Sequence, residues 1–490
     1  MSKPVILGAG LAGLSAALAM APAPVILVSP RQLGEGCSSA WAQGGIAAAV
    51  GDDDSADLHA ADTVAVGVGI NDNSIVQQVT ADGRGVIDTL LLRGAPFDRD
   101  EAGHLRLGLE AAHSRRRIVH ARDATGRAVT QAMIAAVRAA PSVEIIEDAV
   151  AVDLGGKSDG ITGVTLRRGD EMIFLPADAV VLATGGAAAL WRDTTNPHES
   201  RGGGLALAAR AGAVLGDLEF VQFHPTAIDI GRDPMPLASE ALRGEGAVLV
   251  DGAGDRFIDE LQPRDIVARA IAAKIAKGEQ VFLDARPVQN LAARFPNIYA
   301  LCAGAGIDAH TTPIPVRPAA HYHMGGIVTD ARGRSSVPGL WACGEVSCTG
   351  LHGANRLASN GLLEAASFGA RVAADIQGGA WNSRMKSSRD PDLRRNGGSC
   401  GSEDGTQRDI RAAMSDHVGV VRDRAGLERA AQKLAPMAAA CDMALSGLMI
   451  AVSALRREES RGAHYRSDFP QTAVTGSRSV LTFDDVKDYL

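Results

Sequence analysis

The sequence predicts an α/β protein. A parallel nucleotide-binding sheet is interrupted by an α+β insertion and followed by a C-terminal helical bundle. Three observations point there. The chain opens with the apolar run Val5-Ile6-Leu7, then Gly8-Ala9-Gly10-Leu11-Ala12-Gly13, then helix-forming Leu14–Leu18. Two later apolar runs also end in glycine turns: Ala179–Leu182 before Ala183-Thr184-Gly185-Gly186, and Leu340–Ala342 before Cys343-Gly344-Glu345. Buried parallel strands read this way and deliver their C-terminal ends to a ligand. Finally, Pro, Arg, His and short strands dominate between Asp217 and Gly333, and helical periodicity runs through Asp409–Glu459.

In the opening strand–turn–helix, Gly8 permits the turn, Gly10 lets a pyrophosphate approach the backbone, and Gly13 lets helix and strand pack closely. The phosphates would meet the unpaired N–H groups of the helix start. With 56 glycines in the chain, an ordinary glycine-rich turn fits the same pattern. Pro24–Ser29 reads as the second strand. It ends on Ser29, where NAD-binding folds usually place an acid. Cys37–Ile46 is a loop of small and polar residues, suited to a flat ligand or to solvent. Residues 52–62 read as an acidic, solvent-facing helix start, and Ser74–Arg93 as an amphipathic helix. Glu110–Gly126 reads as a polar surface loop and Thr125–Ala140 as a helix. Val143–Asp153, Gly160–Arg167 and Glu171–Leu175 read as one small antiparallel layer. Arg201–Gly204 opens an Ala-rich helix, and Asn360–Gln377 reads as another. The expected domains are 1–221 with 336–385, an insertion at 222–335, and a C-terminal unit at 405–490. A linker spans 381–407.

The 490 residues are 46% hydrophobic and 22% charged, an ordinary globular composition. That length suggests about two to four domains. With a net charge of −8 and no basic cluster longer than Arg115-Arg116-Arg117, no nucleic-acid partner is expected. Six scattered cysteines give neither a zinc pattern nor a disulfide framework, which suits a reducing compartment. No run is long enough to cross a bilayer and no signal peptide is evident, so the expectation is cytoplasmic, with no membrane partner. His321-Tyr322-His323 offers two metal ligands but no third at a suitable spacing, so no metal is expected.

Separated segments then agree in order: Ser38–Ile46 (SSAWAQGGI), Ala183–Gly186 (ATGG), Gln222–Thr226 (QFHPT), Arg243–Gly246 (RGEG), Pro263–Ile271 (PRDIVARAI), Ala320–Gly326 (AHYHMGG), Gly344–Val346 (GEV), Gly350–Asn360 (GLHGANRLASN) and Glu459–Arg466 (ESRGAHYR). Through them the chain resembles the succinate dehydrogenase and fumarate reductase flavoprotein family, over nearly its whole length. Within that family it is most similar to the branch that oxidises L-aspartate. The resemblance implies an FAD-binding Rossmann-like domain, a capping domain in the insertion and a C-terminal helical domain. It gives FAD to Gly8, Ala9, Gly10, Leu11, Ala12 and Gly13 at the pyrophosphate, with Ser29 at the end of the second strand. Ser38, Ser39, Ala40, Trp41, Ala42, Gln43, Gly44 and Gly45 would lie along the isoalloxazine and ribityl chain. Thr184, Gly185 and Gly186 would close the strand end. Glu345 would bind ribityl or ribose hydroxyls, with Asn360, Gly361 and Leu362 near the flavin N1/O2 edge. Respiratory members bond the flavin covalently through a histidine where this chain has Ser38, which implies non-covalent FAD.

For substrate, the resemblance makes Arg356 a carboxylate clamp, since a planar guanidinium binds in a bidentate way. It adds His224, His321, Ser239 and His352. Glu110, a surface carboxylate if read alone, would pair with an ammonium that succinate lacks. Arg264 would be the acid/base; because free arginine is a poor base, Glu240 and Arg243 would relay its proton. The implied reaction is oxidation of L-aspartate to iminoaspartate by hydride transfer from Cα to flavin N5. Reoxidation would use O2, giving H2O2, or fumarate, giving succinate. This would be the first step of de novo NAD biosynthesis, coupled to quinolinate synthase. Two alternatives stay open: a soluble fumarate reductase or succinate dehydrogenase flavoprotein subunit, and a degenerate flavin-binding protein. Pro30 stands where relatives often have Lys, and Gly202-Gly203-Gly204 where they commonly read Gly-Asp-Gly. Both departures imply weak, readily lost FAD.

Overall fold

The computed structural model describes residues 2–157, 160–379 and 405–490; most of the expected linker, 381–404, lies outside them. Five parallel strands form the central sheet, in the order Leu340–Ala342, Val180–Leu182, Val5–Leu7, Val25–Val28, Val143–Ile146. Alternate residues of a strand face opposite sides. Ile6, Val181 and Trp341 accordingly join one core with the helices Leu11–Met20 and Asn360–Gln377. Val5, Leu7, Val180 and Leu182 join the other, with the Ala-rich helix Gly203–Arg210 and the helix Asp442–Arg456. Burial on both faces explains why these strands read as unbroken apolar runs.

The run 143–153 departs from the expected single strand. Asp148 adopts φ 58°, and the chain turns there. Val143–Ile146 completes the parallel sheet. Val150–Lys157 pairs instead with Gly160–Arg168, which pairs in turn with Glu171–Pro176, in a separate antiparallel layer. The polar stretch read as a surface loop also departs. Arg117 is fully buried, its guanidinium bound to Asp54 and Asp62. The acidic residues 52–62 therefore serve an internal ion pair as well as the start of the helix Ala56–Val66.

From Val221 the chain builds an antiparallel sheet in the order Val221–Ile228, Ile314–His323, Val281–Asp284, Val248–Asp251. The helices Arg264–Ile275 and Pro296–Gly304 accompany it, and it has its own core. The register shifts between His224 and Ala227, where Pro225 has no N–H to give the ladder. Gly405–His417, Arg424–Ala438 and Asp442–Arg456 follow as helices. The tail then returns as Val480–Leu481 to pair with Leu215–Gly216, so the C-terminal part is not helical alone. Cys37, Cys302, Cys343 and Cys348 are free, but Cys441 is disulfide-bonded, contrary to the reading from cysteine spacing. Among the described residues no helix is long and apolar enough to cross a membrane.

Candidate active site

A cavity of about 1320 Å³ runs along the C-terminal edge of the parallel sheet and ends beneath the insertion. Gly8, at φ 110°, opens it; a Cβ there would collide with the Ala183 carbonyl, and one on Gly13 with the Gly8 carbonyl. Gly8, Ala9, Gly10, Leu11 and Ala12 line the wall, as do Ser29, Ser38–Gln43, Thr184, Gly185, Glu345, Gly361 and Leu362. Gly13, Gly44, Gly45, Gly186 and Asn360 do not. Side chains at Gly44 and Gly186 would run into Glu110 and Glu345, and one at Gly45 into Ile118 and Val119. Asn360 pairs with His59 and Thr63. These five shape the wall from behind. Ser39 Oγ accepts the Leu11 N–H at 3.1 Å, tying the Cys37–Ile46 loop to the first helix.

The walls fit the dinucleotide expected from the sequence. Gln43 Oε1 and Thr184 Oγ1, both on cavity residues, are buried without a partner, and such atoms need one. Burial pushes the Glu345 carboxyl up to about 7, so it can meet a hydroxyl as donor or acceptor. Ser38 Oγ lies 2.7 Å from Asn196 and 2.9 Å from Ser200; it offers no imidazole for a covalent link.

Arg356 and His321 line the other end of the cavity, and a charged cluster packs behind them; Arg264 and Glu240 line, with Arg356, a second and much smaller cavity. Arg264, first in its helix, donates Nε to Glu240 at 2.5 Å and Nη1 to Gln222 Oε1 at 2.8 Å. Arg356 donates Nε and Nη2 to the same oxygen, each at 3.3 Å. The Gln222 amide is held in turn by Asn355 Oδ1 and the Arg356 carbonyl, both at 2.8 Å. Gln222 thus joins two arginines. Its motif drew notice in the sequence, but the residue itself was given no role. Arg243 lies 3.6 Å from Glu240 and donates to the Glu260 carbonyl at 2.5 Å. Burial works against the Glu240 charge, but Arg264 and Arg243 hold its carboxyl below the usual range. Glu110 is pushed up, first by burial and then by Glu240, and accepts the Ser359 hydroxyl at 2.6 Å.

His224 Nδ1 accepts the Thr226 N–H at 3.3 Å. Its proton therefore sits on Nε2, which is buried without a partner. His321 stands edge-to-face with it at 5.0 Å and pairs through Nδ1 with Thr195 Oγ1 at 2.8 Å. Burial, then the nearby arginines, keep both imidazoles neutral. Ser239 is buried at the start of the helix Glu240–Gly244, its hydroxyl making no cap bond. His352 does not line the cavity, nor do His224, Ser239, Glu110, Arg243, Arg264 and Glu240. His352 Nε2 lies 2.9 Å from Glu364 Oε2 and 3.1 Å from the Tyr322 hydroxyl, so a buried carboxylate on the following helix holds it one layer back.

Residues 3–362 match the FAD binding domain family, and 437–484 the fumarate reductase flavoprotein C-terminal family. The L-aspartate oxidase of Mesorhizobium japonicum is 51% identical, over 98% of this chain and 94% of that protein. The Bacillus subtilis L-aspartate oxidase is 40% identical, over 97% and 93%. Among solved structures, the E. coli quinol fumarate reductase FrdA in a point-variant form superposes with TM-score 0.86 at 28% identity, covering 98% of this chain and 94% of that one. With FAD as the cofactor its walls fit, the chain belongs to the L-aspartate oxidase family.

Proposed function

We propose that this chain oxidises L-aspartate to iminoaspartate with FAD held non-covalently along the cavity. Bound FAD supplies the hydride acceptor. The observation that carries the reading is one buried cluster of two arginines, two neutral imidazoles and a separate carboxylate, Glu110, packed at the end of the cavity that Arg356 and His321 line. A buried dicarboxylate is costly unless both ends are paired. Arg356 takes one carboxylate. The unpartnered His224 Nε2–H, with His321 and the Ser239 hydroxyl, takes the other. Glu110 takes the ammonium. His352 acts from behind this layer.

Arg264 is the acid/base. Glu240 and Gln222 fix its guanidinium, and Glu240 and Arg243 relay its proton, which a lone arginine would hold too tightly. Residues 222–335 act as a cap that excludes water from the reacting carbon. Fumarate or O2 serves as terminal acceptor, giving succinate or H2O2. Because iminoaspartate hydrolyses readily, close supply to quinolinate synthase in the cytoplasm follows, as the opening step of NAD biosynthesis.

The test is anaerobic mixing of the FAD-loaded protein with L-aspartate and, separately, with succinate. L-Aspartate should bleach the flavin's visible absorbance. Bleaching by succinate alone would make the chain a fumarate reductase or succinate dehydrogenase flavoprotein instead.

A further inference from the structure

Tyr322 has no part in the reading above, yet it lies directly against the guanidinium on which that reading depends. Arg356 Cζ stands 4.1 Å from the Tyr322 ring centroid. Both residues are buried, and both line the cavity. One face of the guanidinium is thus on the ring, and its Nε/Nη2 edge is on Gln222 Oε1. This leaves the Nη1 side for a ligand. A Cβ on Gly361 would stand 2.9 Å from Nη1, so a side chain there would crowd that opening.

The ring is itself fixed. Its hydroxyl donates to Glu364 Oε2 at 3.1 Å and lies 3.1 Å from His352 Nε2. The His352 ring meets it edge-on at 5.2 Å. Thr349 Oγ1 donates to the other Glu364 oxygen at 2.6 Å. Burial, and then Arg264, work against the charge on Arg356 and pull its pKa down to about 10. An aromatic face counters that loss, because its quadrupole attracts a cation and does so more strongly when water is excluded.

We propose that Tyr322 is a positioning residue for Arg356: its ring face holds the guanidinium plane at the cavity wall so that the Nη1 side meets a substrate carboxylate. His352, Glu364 and Thr349 hold the ring in turn. The proposal rests on the carboxylate-binding reading of Arg356.

The test titrates malonate, a dicarboxylate that cannot be oxidised in this way, into the FAD-loaded wild type and the Y322F, Y322L, R356Q and Y322L/R356Q variants. Binding is followed by the perturbation of flavin absorbance. Y322F keeps the ring face and should bind malonate within about threefold of wild type. Y322L should bind about tenfold more weakly, the ratio a desolvated cation–π contact represents. Its KM for L-aspartate should rise more than its kcat falls. The double variant should lose no more than R356Q alone, since both act on one contact. If R356Q binds malonate as wild type does, the reading of Arg356 itself fails. If R356Q loses binding while Y322L keeps wild-type affinity, only the role of Tyr322 is overturned. Should Y322L not be recovered with FAD, Y322F decides: affinity near wild type supports the ring-face role, and a tenfold loss overturns it.

Discussion

Glu110 and Glu240 are buried neighbours that arginines reach unequally. Glu240 takes a direct bond from Arg264 and has Arg243 close by. Glu110 is bonded to the Ser359 hydroxyl, while burial and the Glu240 charge raise its carboxyl. A substrate ammonium beside Glu110 would restore the missing partner. Protonating Glu110 removes that partner, so KM for L-aspartate should rise as pH falls through the raised value. Glu110→Gln should flatten that rise. It should cost about ten- to hundredfold in kcat/KM for L-aspartate, the scale of a buried charge-assisted hydrogen bond, and leave fumarate reduction much less affected. Equal losses in the two reactions would undo the ammonium role. Gln222→Leu should act differently. It leaves Arg264 and Arg356 without their shared acceptor, so it should lower stability by about 1–3 kcal/mol and raise KM. A thermal melt and steady-state kinetics on one preparation check both effects.

The helix Pro296–Gly304 in the insertion is capped by a residue from the other side of the cavity. Asp123 accepts the N–H of Asn297 at 2.8 Å and of Ile298 at 3.3 Å, and its other oxygen takes the Asn297 side chain at 2.8 Å. Asp123→Ala should cost about 1 kcal/mol and speed amide exchange in the first turn of that helix; unchanged exchange would rule out the cap. The helix Gly203–Arg210 allows a test of cofactor affinity. Gly203 lines the cavity, and a Cβ there meets nothing within 4 Å. Gly203→Asp should therefore fold normally and, by restoring the acid that relatives carry, bind FAD more tightly. FAD fluorescence recovery measures this, and an unchanged constant, or a wild type that already binds below nanomolar, contradicts it. Elements defined by their own periodicity were legible in the sequence: the helix Asn360–Gln377 has the bounds its pattern predicts. Joints between distant segments were not. Arg117 reads as a surface arginine because its partners, Asp54 and Asp62, lie 63 and 55 residues away. His352 reads as substrate-facing because its motif says nothing of Glu364 behind it. Asp148 reads as mid-strand because apolar spacing does not reveal a positive φ.

Across the whole molecule, stability should depend on pH through histidines that are buried without charge. Burial lowers His59, His113 and His323 from the ordinary 6.5 to about 4, and His224, His321 and His464 fall well below it. Between these values the unfolded chain binds protons that the folded chain refuses. The stability they contribute is full above pH 6.5 and is lost progressively as pH falls toward 4. Glu345 acts in the opposite sense. Its carboxyl is raised from 4.5 to about 7, so its contribution is full below 4.5 and is lost as pH rises through 7. Glu110 is raised as well, and Asp217 and Asp442 are pushed up by burial. Six imidazoles oppose these four carboxyls, and each imidazole titrates in the unfolded chain near 6.5, so the acid limb should dominate between 6.5 and 4.5. The FAD-free protein should therefore melt at a lower temperature as pH falls across that interval. Glu345→Gln keeps an oxygen for the His323 N–H, now at 3.0 Å from the carboxylate. It should reduce the decline on the alkaline side near 7 and leave the acid limb in place. Melting curves across this pH range for wild type and variant decide the matter. A melting temperature flat from 6.5 to 4.5 would mean that the buried imidazoles are not held neutral, and with them would go the neutral-donor role given to His224 and His321.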